Sequence, residues 1–360
     1  MTTDSSAFTV FSSLLFLSVP LYAEEGSWTD RVNFNGDFRL RYEAIDEEGF
    51  EQRDRMRFRA RFGFKVDIRD DIEVVMQLAT GGGDPVSTNQ TFDDGFSTKD
   101  IGLDLAYVDW RISDSLSINV GKMKNPLFRA GRVPLVWDSD LHPEGIAARF
   151  SSGVLFGTVA GFSVEERSSA DDSLLFATQV GLKFSVGEAA KLTAGIGYFG
   201  YSNTIGNEPF YDGGAKGNTV DNNGDYGFEY KNIELFAQLD TAVGGWPLQI
   251  FGHYTRNSEV GREDTAYAFG ATMGAARQPR EMEFAWMYQD IEADALIATF
   301  NDSDFGGGGT DARGHILKAR YAYSDNIFFA GTLFVNMIEG FQSIEHDYNR
   351  IQLDVEFNFD

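Results

Sequence analysis

Arg55, Arg57, Arg59 and Arg61 occupy every second position of one segment, and Met56, Phe58 and Ala60 fall between them. A guanidinium is permanently charged and offers a fork of donors that suits carboxylates and phosphates. A period of two belongs to extended backbone, so all four groups share one face of a strand; a helix would scatter them. Arg39 and Arg41 alternate in the same way on the segment before, and Lys65 continues the row. Such a row can attract and orient anions along a wall. An arginine at the middle of a bilayer costs about 2–4 kcal/mol. The row is therefore expected to face a watery lumen, with Met56, Phe58, Phe62 and Phe64 facing lipid.

The matching acids are sought in the long link Lys124–Glu144, which holds Arg129, Arg132, Asp138, Asp140, His142 and Glu144. Folded into a barrel, this link would set Asp138, Asp140 and Glu144 against Arg55–Arg61. The resulting transverse field would orient dipolar solutes, since rings of charge set ion selectivity. An ordinary outer loop with solvated charges remains open on sequence alone.

Other chemistry is thin. Asp221-Asn222-Asn223-Gly224-Asp225 resembles the start of a calcium loop, with Asp221, Asn223 and Asp225 as weak ligand candidates, but the glutamate at the twelfth position is missing. A hydrophilic outer loop is the expectation there. Asn301-Asp302-Ser303-Asp304 before Gly306–Gly309 would bind a cation or simply turn. Gly81-Gly82-Gly83 lacks the Lys-Ser/Thr ending of a phosphate loop. The four histidines, His142, His253, His315 and His346, are scattered, and only His142 stands near acids, without a serine partner. No activated nucleophile is legible, so neither an enzyme nor a cofactor is expected. Without cysteine there is no disulfide or thiolate site. A net charge of -25 argues against nucleic acid as a partner.

The elements that carry these residues are strands. Phe34, Gly36, Phe38, Leu40 and Tyr42 alternate with polar residues, as do Ile351, Leu353, Val355, Phe357 and Phe359 near the end. About sixteen such segments follow one another, an even number within the range of bacterial barrels. Tight turns are expected at 69–71, 113–115, 187–189, 244–245 and 324–326. Long polar links are expected at 81–100, 124–144, 202–227 and 299–314. Short turns on one rim and long loops on the other suit an all-β fold, a transmembrane antiparallel β-barrel with short periplasmic turns and long extracellular loops. A soluble sandwich would also alternate. Ala7–Tyr22 is largely apolar and Ala23 precedes Glu24-Glu25, so residues 1–23 are expected to be a signal peptide and 24–360 the barrel, although Asp4 stands where a basic residue is usual. Trp28, Tyr42, Trp110, Tyr198, Tyr201, Trp246, Tyr254, Trp286 and Tyr323 are candidates for interface girdles.

Three stretches, Gly121-Lys122-Met123-Lys124-Asn125-Pro126, residues 137–145 from Trp137 through Asp138, His142 and Glu144 to Gly145, and Asn301-Asp302-Ser303-Asp304-Phe305-Gly306, resemble the Putative porin family of Gram-negative outer membranes. The arginine-rich second strand belongs to the same picture, and the likeness spans most of the mature chain. The resemblance implies a general-porin-like barrel in the outer-membrane lipid, a homotrimer, and passive diffusion of small hydrophilic solutes or ions. The terminal strand is similar to a barrel-assembly signal, which usually ends on an aromatic residue; here Asp360 follows Phe359. A barrel enzyme acting on lipids or peptides, and a closed structural or adhesive barrel, share the same strand pattern.

Overall fold

The computed structural model describes residues 28–212, 214–341 and 344–359. The leader expected over residues 1–23 lies outside them. Strands follow in the order β1 Val32–Glu47, β2 Arg53–Arg69, β3 Ile72–Thr80, β4 Gln90–Thr91, β5 Ile101–Ser113, β6 Leu116–Lys122, β7 Glu144–Ser152, β8 Leu155–Glu165 and β9 Ser173–Val186. They continue with β10 Ala190–Tyr201, β11 Lys231–Val243, β12 Trp246–Asn257, β13 Thr265–Gly274, β14 Met282–Ile291, β15 Ala312–Ala322, β16 Ile327–Ile338 and β17 His346–Phe359. The sheet has 17 strands, and setting aside the two-residue β4 leaves 16. All neighbours are antiparallel, and β1 pairs with both β2 and β17, so the sheet closes into a barrel. Closure leaves no unpaired edge in lipid, where an unsatisfied backbone group costs several kcal/mol.

Two rims differ in the expected sense. Between β2 and β3, β5 and β6, β7 and β8, and β11 and β12 only two residues intervene. The links before β5, β7, β11 and β15 are long, and the chain enters and leaves on the short-turn side. The link 275–281 and the turn at Gly153-Val154 were not legible as short-rim turns.

The register separates the two faces. Across β1 and β2, Leu40 pairs with Phe58 and Tyr42 with Met56 on the outside, while Arg39 pairs with Arg59 and Arg41 with Arg57 on the inside. Phe34, Met56 and Phe62 are exposed on the outer wall, as lipid-facing residues of a barrel must be. The closing seam has its own fit. The Phe359 ring lies over Gly36, where a Cβ would stand 2.4 Å from the ring. Phe359 thus keeps the outward register of the terminal strand.

Trp110, Trp246 and Tyr323 stand exposed beside short-rim turns, as girdle residues would. Tyr201 departs from that expectation. It is buried inside the barrel, where the Trp137 Nε1–H donates to its hydroxyl over 2.8 Å.

The apolar core sits in the lumen rather than between layers. Leu127, Val133, Leu135 and Trp137 from the link 123–143 pack against Phe162, Leu175, Phe199, Phe236 and Phe251 of the wall. Burying one such side chain is worth about 1.5–3 kcal/mol. This packing drives the link inward and fills one side of the barrel.

Candidate functional site

The inward link is held by polar stitches as well as by packing. Gln179 on β9 accepts from the Phe128 backbone N–H over 2.8 Å and donates to the Phe128 carbonyl over 3.0 Å. The Gly131 N–H donates to Gln238 of β11 over 2.9 Å. Gly131 has φ +62, and a Cβ there would stand 2.3 Å from the Phe251 ring. Only glycine permits both the conformation and the approach. The link leaves from β6 yet touches β11 and β12, so it crosses the lumen. The sequence had left an outer loop open, and the geometry is that of a folded-in one.

Two further links join it. Ser87 and Asn89, between β3 and β5, stand beside the inward faces of β1 and β2. The link 292–311 places Asp304 against Arg41, 3.1 Å away, and against Arg350 of β17. Between these links and the wall lies an eyelet of about 190 Å³, lined by Arg39, Arg41, Arg59, Asp138, Asp302 and Asp304 among others.

Arg39, Arg41, Arg55, Arg57, Arg59, Arg61 and Lys65 all share the inner face, as the period of two required. Arginines directly opposite one another repel, and interleaved acids relieve this. Asp37 accepts from Arg59 and Arg61, Glu43 from Arg55, and Asp354 grips Arg41 with two bonds of 2.7 and 2.8 Å. Lys65 pairs with Glu73 at 3.4 Å.

The link 124–144 divides differently from the expectation. Asp140 does face the wall, 3.8 Å from the Arg61 guanidinium, and accepts from the Thr88 hydroxyl over 3.1 Å. Asp138 is buried and braces the neighbouring link instead, accepting from the Ser303 N–H over 3.0 Å and the Asp140 N–H over 2.7 Å. Glu144 is not opposite the arginines. It is exposed at the first residue of β7 and pairs with Lys122 at 2.9 Å, because the chain has already rejoined the sheet there. His142 turns to the wall, with Nδ1 2.7 Å from Asp104 of β5. Arg129 reaches Ser139 over 3.4 Å, and Arg132 is exposed; neither forms an ion pair with an acid of the wall. Asp221 accepts from the backbone N–H groups of Asn223 and Asp225 over 2.7 and 3.1 Å, which makes this calcium candidate a self-bonded turn.

The acids missed in the sequence are Asp302 and Asp304, set aside as a cation loop or turn. Arg350 was also missed, one position before the terminal alternation was recognised. Burial would raise the Asp304 carboxyl, but Arg350 and Arg41 hold it well below the usual range. Asp302 has no such clamp: burial and the adjacent Asp304 charge push it up to about 6. Asp138 is raised by burial and by Asp302 and Asp140. The folded state thus binds the Asp302 proton more tightly than the unfolded state. Its stabilising effect is complete below about pH 4 and is lost as pH rises through about 6. The same rise adds one negative charge to the eyelet beside Lys318 and Arg350. The anion-to-cation permeability ratio is therefore expected to fall between about pH 5 and about pH 7.5. Reversal potentials under a salt gradient check this, and Asp302→Asn should flatten the change.

The family model described as Putative porin matches residues 46–222 and 216–359. The chain belongs to that family. The porin is a channel protein of the Gram-negative outer membrane. No curated protein matches it in sequence. Its fold is similar to that of OprB from Pseudomonas putida, with a TM-score of 0.61 at 12% identity, covering 91% of this chain and 94% of that one. A Rhodopseudomonas blastica porin mutant gives 0.53 at 10% identity, covering 91% and 100%. The trimer form of OmpT from Vibrio cholerae gives 0.54 at 13%, covering 91% and 99%.

Proposed function

We propose that the porin passes small hydrophilic solutes with a preference for anions, acts as a homotrimer, and performs no catalysis. The observation that carries the anion preference is the continuity of the basic row along the water path. Arg55 and Arg57 line an outer cavity of about 670 Å³, Arg59 lines the eyelet, and Lys65 follows toward the short-turn rim. The acids of links 124–144 and 292–311 face this row across the same space, and anions are drawn to the basic side of it. The non-catalytic part follows the Putative porin family to which the chain belongs. The trimer follows the trimer form of the Vibrio OmpT that the fold resembles.

Reversing Arg57 and Arg59 to glutamate tests the preference. The double variant is expected to move the reversal potential toward cations in planar bilayers. An unchanged potential would remove the basic row as its source. Swelling of liposomes in sugars of increasing size tests the open pore: correct insertion without swelling would sink it.

A further inference from the structure

The arginines of the wall are unevenly neutralised. Arg41, Arg55, Arg59, Arg61 and Arg350 each reach a carboxylate. Among the described residues, Arg39 and Arg57 reach none within 4.0 Å. Arg39 is only 9% exposed, its Nε is bonded to nothing, and its Nη2 donates to Asn89 Oδ1 over 2.6 Å. The Arg57 Nε is also unbonded. Its Nη2 lies 3.4 Å from Ser87 Oγ and 3.5 Å from the Asn89 carbonyl, at the outer limit for hydrogen bonds.

Both guanidinium groups therefore converge on the short segment 87–89. Arg39 pairs in register with Arg59, and Arg57 with Arg41, so Arg39 and Arg57 are diagonal neighbours on one face. Arg57 lines the outer cavity and Arg39 the eyelet, and Val86 and Ser303 line both spaces. A buried charge without a partner is strongly unfavourable. Asp354 and Asp304 are held by Arg41, Asp304 also by Arg350, Asp37 by Arg59 and Arg61, and Asp140 by Thr88, while Asp302 shares the eyelet without reaching Arg39 or Arg57 within 4.0 Å. Two unmatched forks beside an amide and a hydroxyl suit a small group of oxygens carrying negative charge.

We propose that Arg39 and Arg57, with Asn89 and Ser87, form a subsite for one small oxyanion, a carboxylate or phosphate, at the outer lip of the eyelet. The subsite rests on the anion-favouring channel for the solute's arrival, but its occupancy is measurable without current.

Acetate and inorganic phosphate are titrated separately, by calorimetry, into the detergent-solubilised full chain. The probe that binds more tightly assigns the oxyanion. Asn89→Asp sets a carboxylate beside Arg39 at nearly constant shape, outside the barrel strands, and is expected to weaken binding at least about tenfold. Arg57→Gln should do the same. Lys231→Gln, outside the basic row and with its amine already on Glu259, should stay within about twofold. Heat from neither probe, or equal affinity in the wild type and Asn89→Asp, overturns the subsite. Reversal potentials on the same proteins separate the two proposals. Anion preference without probe binding sinks the subsite alone, whereas cation preference with tight probe binding sinks the channel's selectivity and leaves the subsite standing.

Discussion

Asp304→Ala is expected to lower the unfolding free energy by about 3 kcal/mol, near the lower end for removing one member of a buried ion pair. Its carboxylate holds two guanidinium groups, Arg41 and Arg350, whereas among the described residues the link's other bond to that wall is the long one from Arg350 to the Ser303 carbonyl, 3.4 Å. The loss stays near the lower end because Arg41 keeps both bonds to Asp354. Denaturant unfolding of the refolded protein measures the change. Asp304 is held below its ordinary value, so its stabilising effect is present above about pH 4 and fades as pH falls toward the folded value. The penalty of the variant should shrink over the same range. Functionally, link 292–311 loses its hold on β1 and β17. Single-channel traces should show a larger and noisier conductance. A quiet channel of unchanged size would mean that the backbone bonds of Asp138 to Ser303 and of Asn301 to Leu135 hold the link without Asp304.

Trp137→Ala is expected to cost about 3–5 kcal/mol, the usual range for emptying a buried aromatic site. The ring lies 5.4 Å from Phe199 and its N–H satisfies the Tyr201 hydroxyl. Its loss opens a cavity between the link and the wall and leaves a buried hydroxyl without its donor. Trp137→Phe should cost far less, because most of the packing survives. The alanine variant should also pass larger sugars in liposome swelling, since the link that narrows the lumen loses its largest anchor. An unchanged size limit together with the expected destabilisation would place the narrowing with Asp304 and Asn89 instead.

The strands were legible because a half-lipid, half-water wall leaves a period of two in nearly every segment. The inner face of Arg39 to Lys65 followed from the cost of charge in lipid, a local rule needing no knowledge of partners. The pairing across the lumen was not legible. Whether Glu144 or Asp304 meets an arginine depends on where a link re-enters the sheet, and residues 304 and 41 are distant in the chain. The inward fold of 124–144 was undecided for a related reason. Leu127, Val133, Leu135 and Trp137 carry no period, and only the facing Phe199, Phe236 and Phe251 show what they bury against. Tyr201 was misplaced because alternation alone does not distinguish a ring at a lipid interface from one closing an internal core.

The apolar packing on one side of the lumen also acts on the charges of the other. Hydrocarbon polarises weakly, so field lines from Arg39, Arg57 and Arg59 cannot spread evenly through the cross-section and are crowded into the remaining water. Each wall charge therefore acts on a passing ion as though the channel were narrower and less well screened than its outline suggests. Salt at about 1 M shortens the screening distance to about 3 Å in open water. The porin's ion preference should outlast that concentration better than that of a barrel whose lumen is wet throughout.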